Sequence, residues 1–347
     1  MADQQMSDDA AEILQQPQRH PFKILLSNEV STCVRFSPIQ QESTLMCTSN
    51  LTGSLKLFRM TNENIQNGFI SNDKLELVHE FKDHLFPIND INFSTYSSSL
   101  QNPYLASCSD DTLINMYDLT KQALVRCFIG HQSYVTKIKF NNVTNVLLSC
   151  GTDNKLIMWD IRSNKAIFKI LGHPEPITSI DMSFDNTMIS SSSYDGFVRL
   201  WDMFKGTCLK TMVAESGSDS PIGLCKMTPN SKYLLFANLN SKIGLYNYKN
   251  DIVKQYIGHS NEQYCLDGLF VKNKQNDKMV LLYGGEDSRL SGWDLNSQDV
   301  IISANLDVEN KGMLVNSVDY DVNNELVAAS GNFKGVYIDQ LHNLIKQ

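Results

Sequence analysis

Trp159-Asp160 and Trp201-Asp202 lie 42 residues apart, and each is preceded by a Gly-His pair (Gly130-His131, Gly172-His173) and by an aspartate, Asp153 or Asp195. His131 to Asp153 and His173 to Asp195 are both 22 residues, and each aspartate stands six residues before its tryptophan. A chain that keeps polar and aromatic residues on so fixed a ruler folds one supersecondary unit more than once. The period, with Gly-His early and Trp-Asp late, predicts four-stranded sheets that bury their faces only against neighbouring copies, the blades of an all-β propeller.

The same ruler predicts a buried relay within each blade. The histidine donates to the turn aspartate, the aspartate also takes backbone N–H groups of the strand-joining turn, and the indole lies underneath. Such polar groups tolerate burial because they satisfy one another. Repetition blade after blade suits a structural role better than a catalytic or metal-binding one, which would be needed only once. His84, Asp111, His131, Asp153, Trp159, His173, Asp195, Trp201, His259, Asp287 and Trp293 are therefore read as structural.

The six-residue step to an aromatic recurs at Asp111 to Tyr117, Asn240 to Tyr246, Asp287 to Trp293 and Thr52 to Phe58, which makes six blades visible. His84 and His259 stand farther from Asp111 and Asp287, which places insertions at Ser94 to Asn102 and Lys272 to Asp277. A seventh blade is expected from Leu314 to Ile338, without the tryptophan and histidine. Its outer strand is best supplied by Phe22 to Leu26, closing the ring and removing free sheet edges. The expected domain organisation is a disordered segment at 1–19 and a seven-bladed propeller at 20–347. The Asn-rich loop from Thr61 to Asp73, inside the first blade, is expected to be disordered.

Composition agrees with one large domain: of 347 residues, 42% are apolar and only 20% charged. No run approaches the roughly 20 apolar residues of a membrane span. Met1 to Asp9 is acidic and polar, unlike a secretory leader, so the reading is a soluble, unsecreted protein with no membrane contact. The eight cysteines are scattered singly without a C-x-x-C pair and read as small buried residues in a reducing compartment. A balance of 30 basic against 38 acidic residues, net −8, argues against direct nucleic-acid binding and modestly favours cationic partners.

The catalytic motifs with a recognisable pattern, a phosphate loop, a G-x-S-x-G elbow, H-E-x-x-H or paired Cys/His ligands, do not occur. Asp110 and Asp111 form a carboxylate pair on paper, but the blade ruler already requires Asp111 in a turn. No cofactor, metal or enzymatic activity is expected, although propellers do host enzymes and fold alone does not settle the matter.

The repeat pattern resembles that of WD-repeat proteins. Ser191 to Asp202 (SSSYDGFVRLWD), Gly206 to Thr211, Pro229 to Tyr233 and Gly258 to Cys265 (GHSNEQYC) resemble, in order, successive segments of one branch of them. That branch comprises the scaffold subunits of the COMPASS/MLL complexes, which methylate lysine 4 of histone H3. The resemblance runs through most of the chain from about Phe22, with the first and last blades weak.

The resemblance implies a nuclear, non-catalytic scaffold that holds a second WD-repeat subunit and a SET-domain methyltransferase subunit, with the histone H3 tail as a further candidate contact. It also implies two surfaces. At the mouth of the central channel, relatives clamp an arginine side chain between two phenylalanines. The matching aromatic positions here are Thr136 and Asp267, and the rest of the mouth falls at Asn89, Asp110, Thr178, Tyr194, Tyr264 and Cys265. Loss of the flat faces is expected to weaken arginine binding by roughly 1 to 2 kcal/mol per stacking partner, although Asp267 beside Asp110 still attracts a cation. The second surface is a cleft between the fifth and sixth blades, matched by Asn230, Tyr233, Leu245, Lys254 and Asn296, with Lys272 replacing an apolar residue of the relatives. The rival readings are an adapter in another nuclear or cytoplasmic assembly, such as a ubiquitin ligase or an RNA-processing particle, and, more distantly, an enzyme.

Overall fold

A computed structural model of the chain describes residues 22–24, 29–38, 43–61, 75–95, 103–214, 220–306 and 313–345. The expected disorder of segment 1–19 and of most of the loop from Thr61 to Asp73 concerns residues outside this set. The described strands form seven antiparallel four-stranded sheets. Their innermost strands are, in chain order, Ser31–Phe36, Ile88–Phe93, Val135–Phe140, Ile177–Met182, Ile222–Met227, Gly268–Lys272 and Val315–Asp321.

Burial is greatest in the middle of a blade and lowest in its outermost strand, and the sequence follows it. In the third blade, the second strand Val146–Gly151 (VLLSCG) is buried throughout because a sheet packs on each face. The outermost strand Lys165–Leu171 (KAIFKIL) alternates exposed and half-buried residues, with Ala166, Phe168 and Ile170 on the half-buried side. The turn between second and third strands repeats with a fixed backbone. The residue after the ruler position takes a positive φ at Gly53, Thr112, Asn154, Gly196, Ser241 and Ser288. For the non-glycine residues this left-handed geometry costs on the order of 1 to 2 kcal/mol, which the hydrogen bonds of the turn offset. Gly53 is required for a second reason: a Cβ there would sit 2.5 Å from the His84 carbonyl oxygen of the next blade.

The hydrophobic core is divided between blades. Each pair of neighbouring sheets encloses its own apolar cluster, as where Ala106, Ile114, Met116 and Phe128 of the second blade meet Val135, Leu147, Ile157 and Trp159 of the third. The ring closes in the same way, with Val34, Phe36, Met46 and Phe58 packed on Leu326, Ala328, Val336 and Ile338. The seventh sheet takes its outer strand from the start of the chain: Phe22–Ile24 pairs antiparallel with Val336–Ile338. A short helix at Leu341–Leu344, not anticipated from the sequence, follows this sheet and buries Leu341 and Leu344 against the sixth and seventh blades.

Candidate partner-binding sites

The relay in blades two to four contains a member absent from the sequence reading, a serine. His131 Nδ1 lies 2.9 Å from Asp153 Oδ1, and its Nε2 lies 2.8 Å from Ser149 Oγ, which also accepts Trp159 Nε1–H at 2.9 Å. The fourth blade repeats this with His173, Asp195, Ser191 and Trp201 at 2.8, 2.8 and 2.9 Å. His84 joins Asp111 and Ser107 in the second blade at 2.7 and 2.8 Å. Asp153 further accepts the backbone N–H groups of Gln132 and Lys155. Burial opposes ionisation of Asp111, Asp153 and Asp195, but the histidine and turn amides outweigh it and hold each carboxyl below its ordinary value. The signal for the serine was present: Ser107, Ser149 and Ser191 each stand four residues before the aspartate.

The sixth blade departs from the expected relay. At the serine position stands Tyr283, fully buried, whose hydroxyl accepts Asn261 Nδ2–H at 2.7 Å. The bulky ring removes the serine hydroxyl from His259, which packs edge-on against Tyr283 and Trp293 with neither ring nitrogen hydrogen bonded. Asp287 turns outward to Arg289, and Trp293 Nε1–H donates to the Ile257 carbonyl. Burial alone pushes the His259 pKa down to about 4.

The channel is filled by charge. Arg35 of the first blade reaches Asp90 of the second at 3.0 Å, Asp267 at the start of the sixth at 2.6 Å and Ser317 of the seventh at 2.6 Å. Lys226 approaches Asp267 at 3.2 Å, and Lys139 meets Asp181 at 2.6 Å. Burial opposes the charge on Asp267, but Lys226, Lys137 and Arg35 together hold its carboxyl far below the usual range. Asp267 therefore does not stand at the mouth beside Asp110, as expected, but inside the channel. The cations it attracts are the chain's own Arg35 and Lys226.

The other predicted mouth residues come together. Asn89, Asp110, Thr136, Thr178, Tyr194, Tyr264 and Cys265 line one cavity of about 480 Å³. Most of their polar atoms are engaged across blade boundaries. Thr136 Oγ1–H donates to the Ile177 carbonyl at 2.9 Å, Thr178 Oγ1–H to Ile222 at 2.6 Å, and Asn89 Nδ2–H to Val135 at 2.9 Å. Thr32 does the same toward Ile88 at 2.7 Å. Each residue is second in its inner strand and bonds to the first residue of the next. Asn89 Nδ2 also reaches Asp110 Oδ1 at 2.8 Å, and the Tyr194 hydroxyl lies 3.4 Å from Cys265 Sγ.

The cleft between blades five and six gathers Asn230, Tyr233, Leu245, Lys254 and Asn296 around a volume of about 560 Å³, together with Lys272 and Asp277. Lys254 lies opposite Leu245 in the sheet, and its ammonium donates to the carbonyls of Leu295 and Asn296, both at 2.8 Å. The floor is apolar, from Tyr233, Leu245, Met279 and Leu295, with Val253 more exposed, and the rim is polar. This is the anatomy of a protein-binding groove.

The profile of the family described as WD domain, G-beta repeat, matches residues 75–118, 122–160 and 164–202. Each match begins in the outer strand of one blade and runs through three strands of the next: 122–160, for example, covers Ala123–Ile129 and then Val135–Phe140, Val146–Gly151 and Lys155–Asp160. Sequence repeat and blade are thus offset by one strand, and the closing strand at Phe22–Ile24 completes that offset in the seventh blade. The chain is a seven-bladed β-propeller built with WD40 repeats.

Proposed function

We propose that this propeller is a non-catalytic scaffold subunit of a nuclear, COMPASS-like histone H3 lysine-4 methyltransferase complex, holding a second WD-repeat subunit and the SET-domain subunit together. The observation that carries the reading is the cleft. Five residues chosen by resemblance, drawn from separate strands and turns of two blades, line a single groove with an apolar floor and a cationic rim. An apolar anchor with an acidic neighbour fits such a groove, the anchor on Tyr233 and Leu245 and a carboxylate at Lys254. The relay and channel residues are engaged within the protein, which suits a scaffold whose outward grooves do the binding.

The test is affinity purification of the tagged chain followed by mass spectrometry, with Tyr233→Ala/Lys254→Glu in parallel. The wild type is expected to recover a SET-domain protein and a second WD-repeat protein. The double variant is expected to lose the second WD-repeat protein while keeping the wild-type circular dichroism spectrum. Recovery of ubiquitin-ligase or RNA-processing subunits in place of a SET-domain protein rejects the assignment in favour of an adapter elsewhere.

A further inference from the structure

The end of the channel opposite the mouth holds a cavity of about 500 Å³, walled by four cations, Arg35, Lys137, Lys139 and Lys226. They belong to two layers of the inner strands. Lys137 is the third residue of Val135–Phe140, whereas Arg35, Lys139 and Lys226 are each the fifth residue of their strands. The layers are therefore about 7 Å apart along the channel.

In these ion pairs the carboxylate is the deeper partner. Side-chain exposure is 2% for Asp267, 5% for Asp90 and 7% for Asp181, against 19% for Lys137, 24% for Lys226 and 38% for Lys139. What each pair turns toward the water of the cavity is its ammonium. Lys226 and Lys139 each meet one carboxylate, Asp267 at 3.2 Å and Asp181 at 2.6 Å, out of three donors apiece. Lys137 is held more weakly still. Its one ion-pair partner among the described residues is Asp90 at 3.8 Å, beyond hydrogen-bond distance, and Asp90 already takes Arg35 at 3.0 Å and the Ile138 N–H at 3.3 Å.

Two further carboxylates line this cavity from the seventh blade, and each is occupied by neutral donors. Asp319 accepts the Phe36 N–H at 2.6 Å, and Asp321 accepts the Thr44 hydroxyl and Asn324 Nδ2–H at 3.3 and 2.6 Å. Burial pushes the Asp319 carboxyl up, which reduces the repulsion that an anion entering beside it would meet. Three ammonium groups with donors to spare, set at two depths over buried carboxylates, suit an anion that carries oxygens on several sides. A tetrahedral phosphate has them, and lysine meets phosphate as a point charge with rotatable donors.

We infer that this end of the channel binds a phosphate group, as the free ion, as diphosphate or as an ester on a small molecule, with its oxygens shared among Lys137, Lys139 and Lys226. Lys137 takes the deepest oxygen and exchanges its long contact with Asp90 for a direct hydrogen bond. Diphosphate is long enough to reach both layers. The site is separate from the cleft between blades five and six and does not depend on which assembly the propeller joins.

The experiment is a calorimetric titration of the intact protein, at constant ionic strength, with inorganic phosphate, diphosphate and glycerol 3-phosphate. Saturable one-site binding is expected, tightest for diphosphate. Glycerol 3-phosphate binding as well as phosphate assigns the site to esters, and weaker binding of it assigns the site to the free ions. Lys137→Met, which leaves Arg35 its bonds to Asp90 and Asp267, is expected to weaken diphosphate about tenfold or more while keeping the wild-type circular dichroism spectrum. Lys139→Gln is expected to weaken it by a smaller factor and decides the matter if Lys137→Met does not fold. Lys205→Met, in an exposed turn, is expected to leave it unchanged. No saturable binding of any phosphate through the millimolar range, or equal affinity in wild type and both channel variants, overturns the inference. Tighter binding of an acetylated, amidated Gly-Glu-Gly peptide than of any phosphate overturns the ligand class and makes this end of the channel a protein contact.

Discussion

His259 shows how much one substitution elsewhere changes a residue's chemistry. In blades two to four the ring is bonded on both nitrogens, whereas in the sixth the tyrosine at position 283 leaves His259 buried and unbonded. Its folded pKa of about 4 lies below the ordinary value of 6.5. The neutral ring is therefore favoured in the native state, and the unfolded chain binds the extra proton. The stability this represents is fully present above pH 6.5 and is lost as pH falls toward 4, an effect on the order of 3 kcal/mol. Urea unfolding followed across that range should show His259→Phe losing less stability on acidification than the wild type, and equal slopes would mean that His259 is not the proton acceptor. The relay aspartates act lower: their depressed carboxyls stabilise above the unfolded aspartate value of about 3.9, and that contribution disappears as pH falls through the folded values. At this scale the sequence was legible wherever the ruler was complete. His131, Asp153 and Trp159 could be read because two copies matched, while Ser149 was overlooked because serine is common in strands and carries no signal without its spacing. The failure at His259 and Asp287 had a readable cause, tyrosine at the serine position, once the serine was known to matter.

Strands were legible from the same offsets, including the weak seventh blade: its second strand Leu326–Gly331 falls within the stretch expected from Leu314 to Ile338, and its third, Val336–Gln340, begins in it and runs two residues past its end. The closing strand could be placed because a ring of four-stranded sheets needs a fourth partner for its last blade. The structure assigns it to Phe22–Ile24, with Leu25 and Leu26 outside the described residues. The short helix at Leu341–Leu344 was not legible, since four residues carry too little periodicity to be distinguished from a turn. Removal of the chain through Ile24 leaves Val336–Gln340 as an unpaired edge. Edges of this kind recruit other chains. The truncated protein is expected to unfold on the order of 5 to 10 °C below the full chain, for a loss of a few kcal/mol, and to scatter light in proportion to its concentration. Calorimetry and static scattering check both, and an unchanged midpoint would show that the interblade core of Val34, Phe36, Leu326 and Ile338 closes the ring without the strand.

For the whole molecule, the channel decides what the flat face does. Its two ends open into separate cavities of about 480 and 500 Å³, and between them Arg35 is tied to Asp90 and Asp267 and Lys226 to Asp267. These pairs join blades one, two, five and six across the axis, so the column is a brace as well as a plug. Breaking such a buried pair costs about 3 to 5 kcal/mol, far more than a solvent-exposed arginine gains by entering. At the mouth, Thr136, Thr178 and Asn89 have their donors on the carbonyls of the next blade, and Thr136 offers no aromatic face for a guanidinium. Three half-exposed tyrosines remain, Tyr134, Tyr194 and Tyr264, lining the same cavity as Asp110. A single exposed cation over such rings gains only about 0.5 to 1 kcal/mol. Titration with arginine-bearing peptides is therefore expected to give no saturation in the low-micromolar range and no difference between arginine and lysine forms. Low-micromolar binding that is lost on replacing arginine with lysine would mean that the mouth captures a guanidinium without the flanking aromatics, with Arg35 still in the channel.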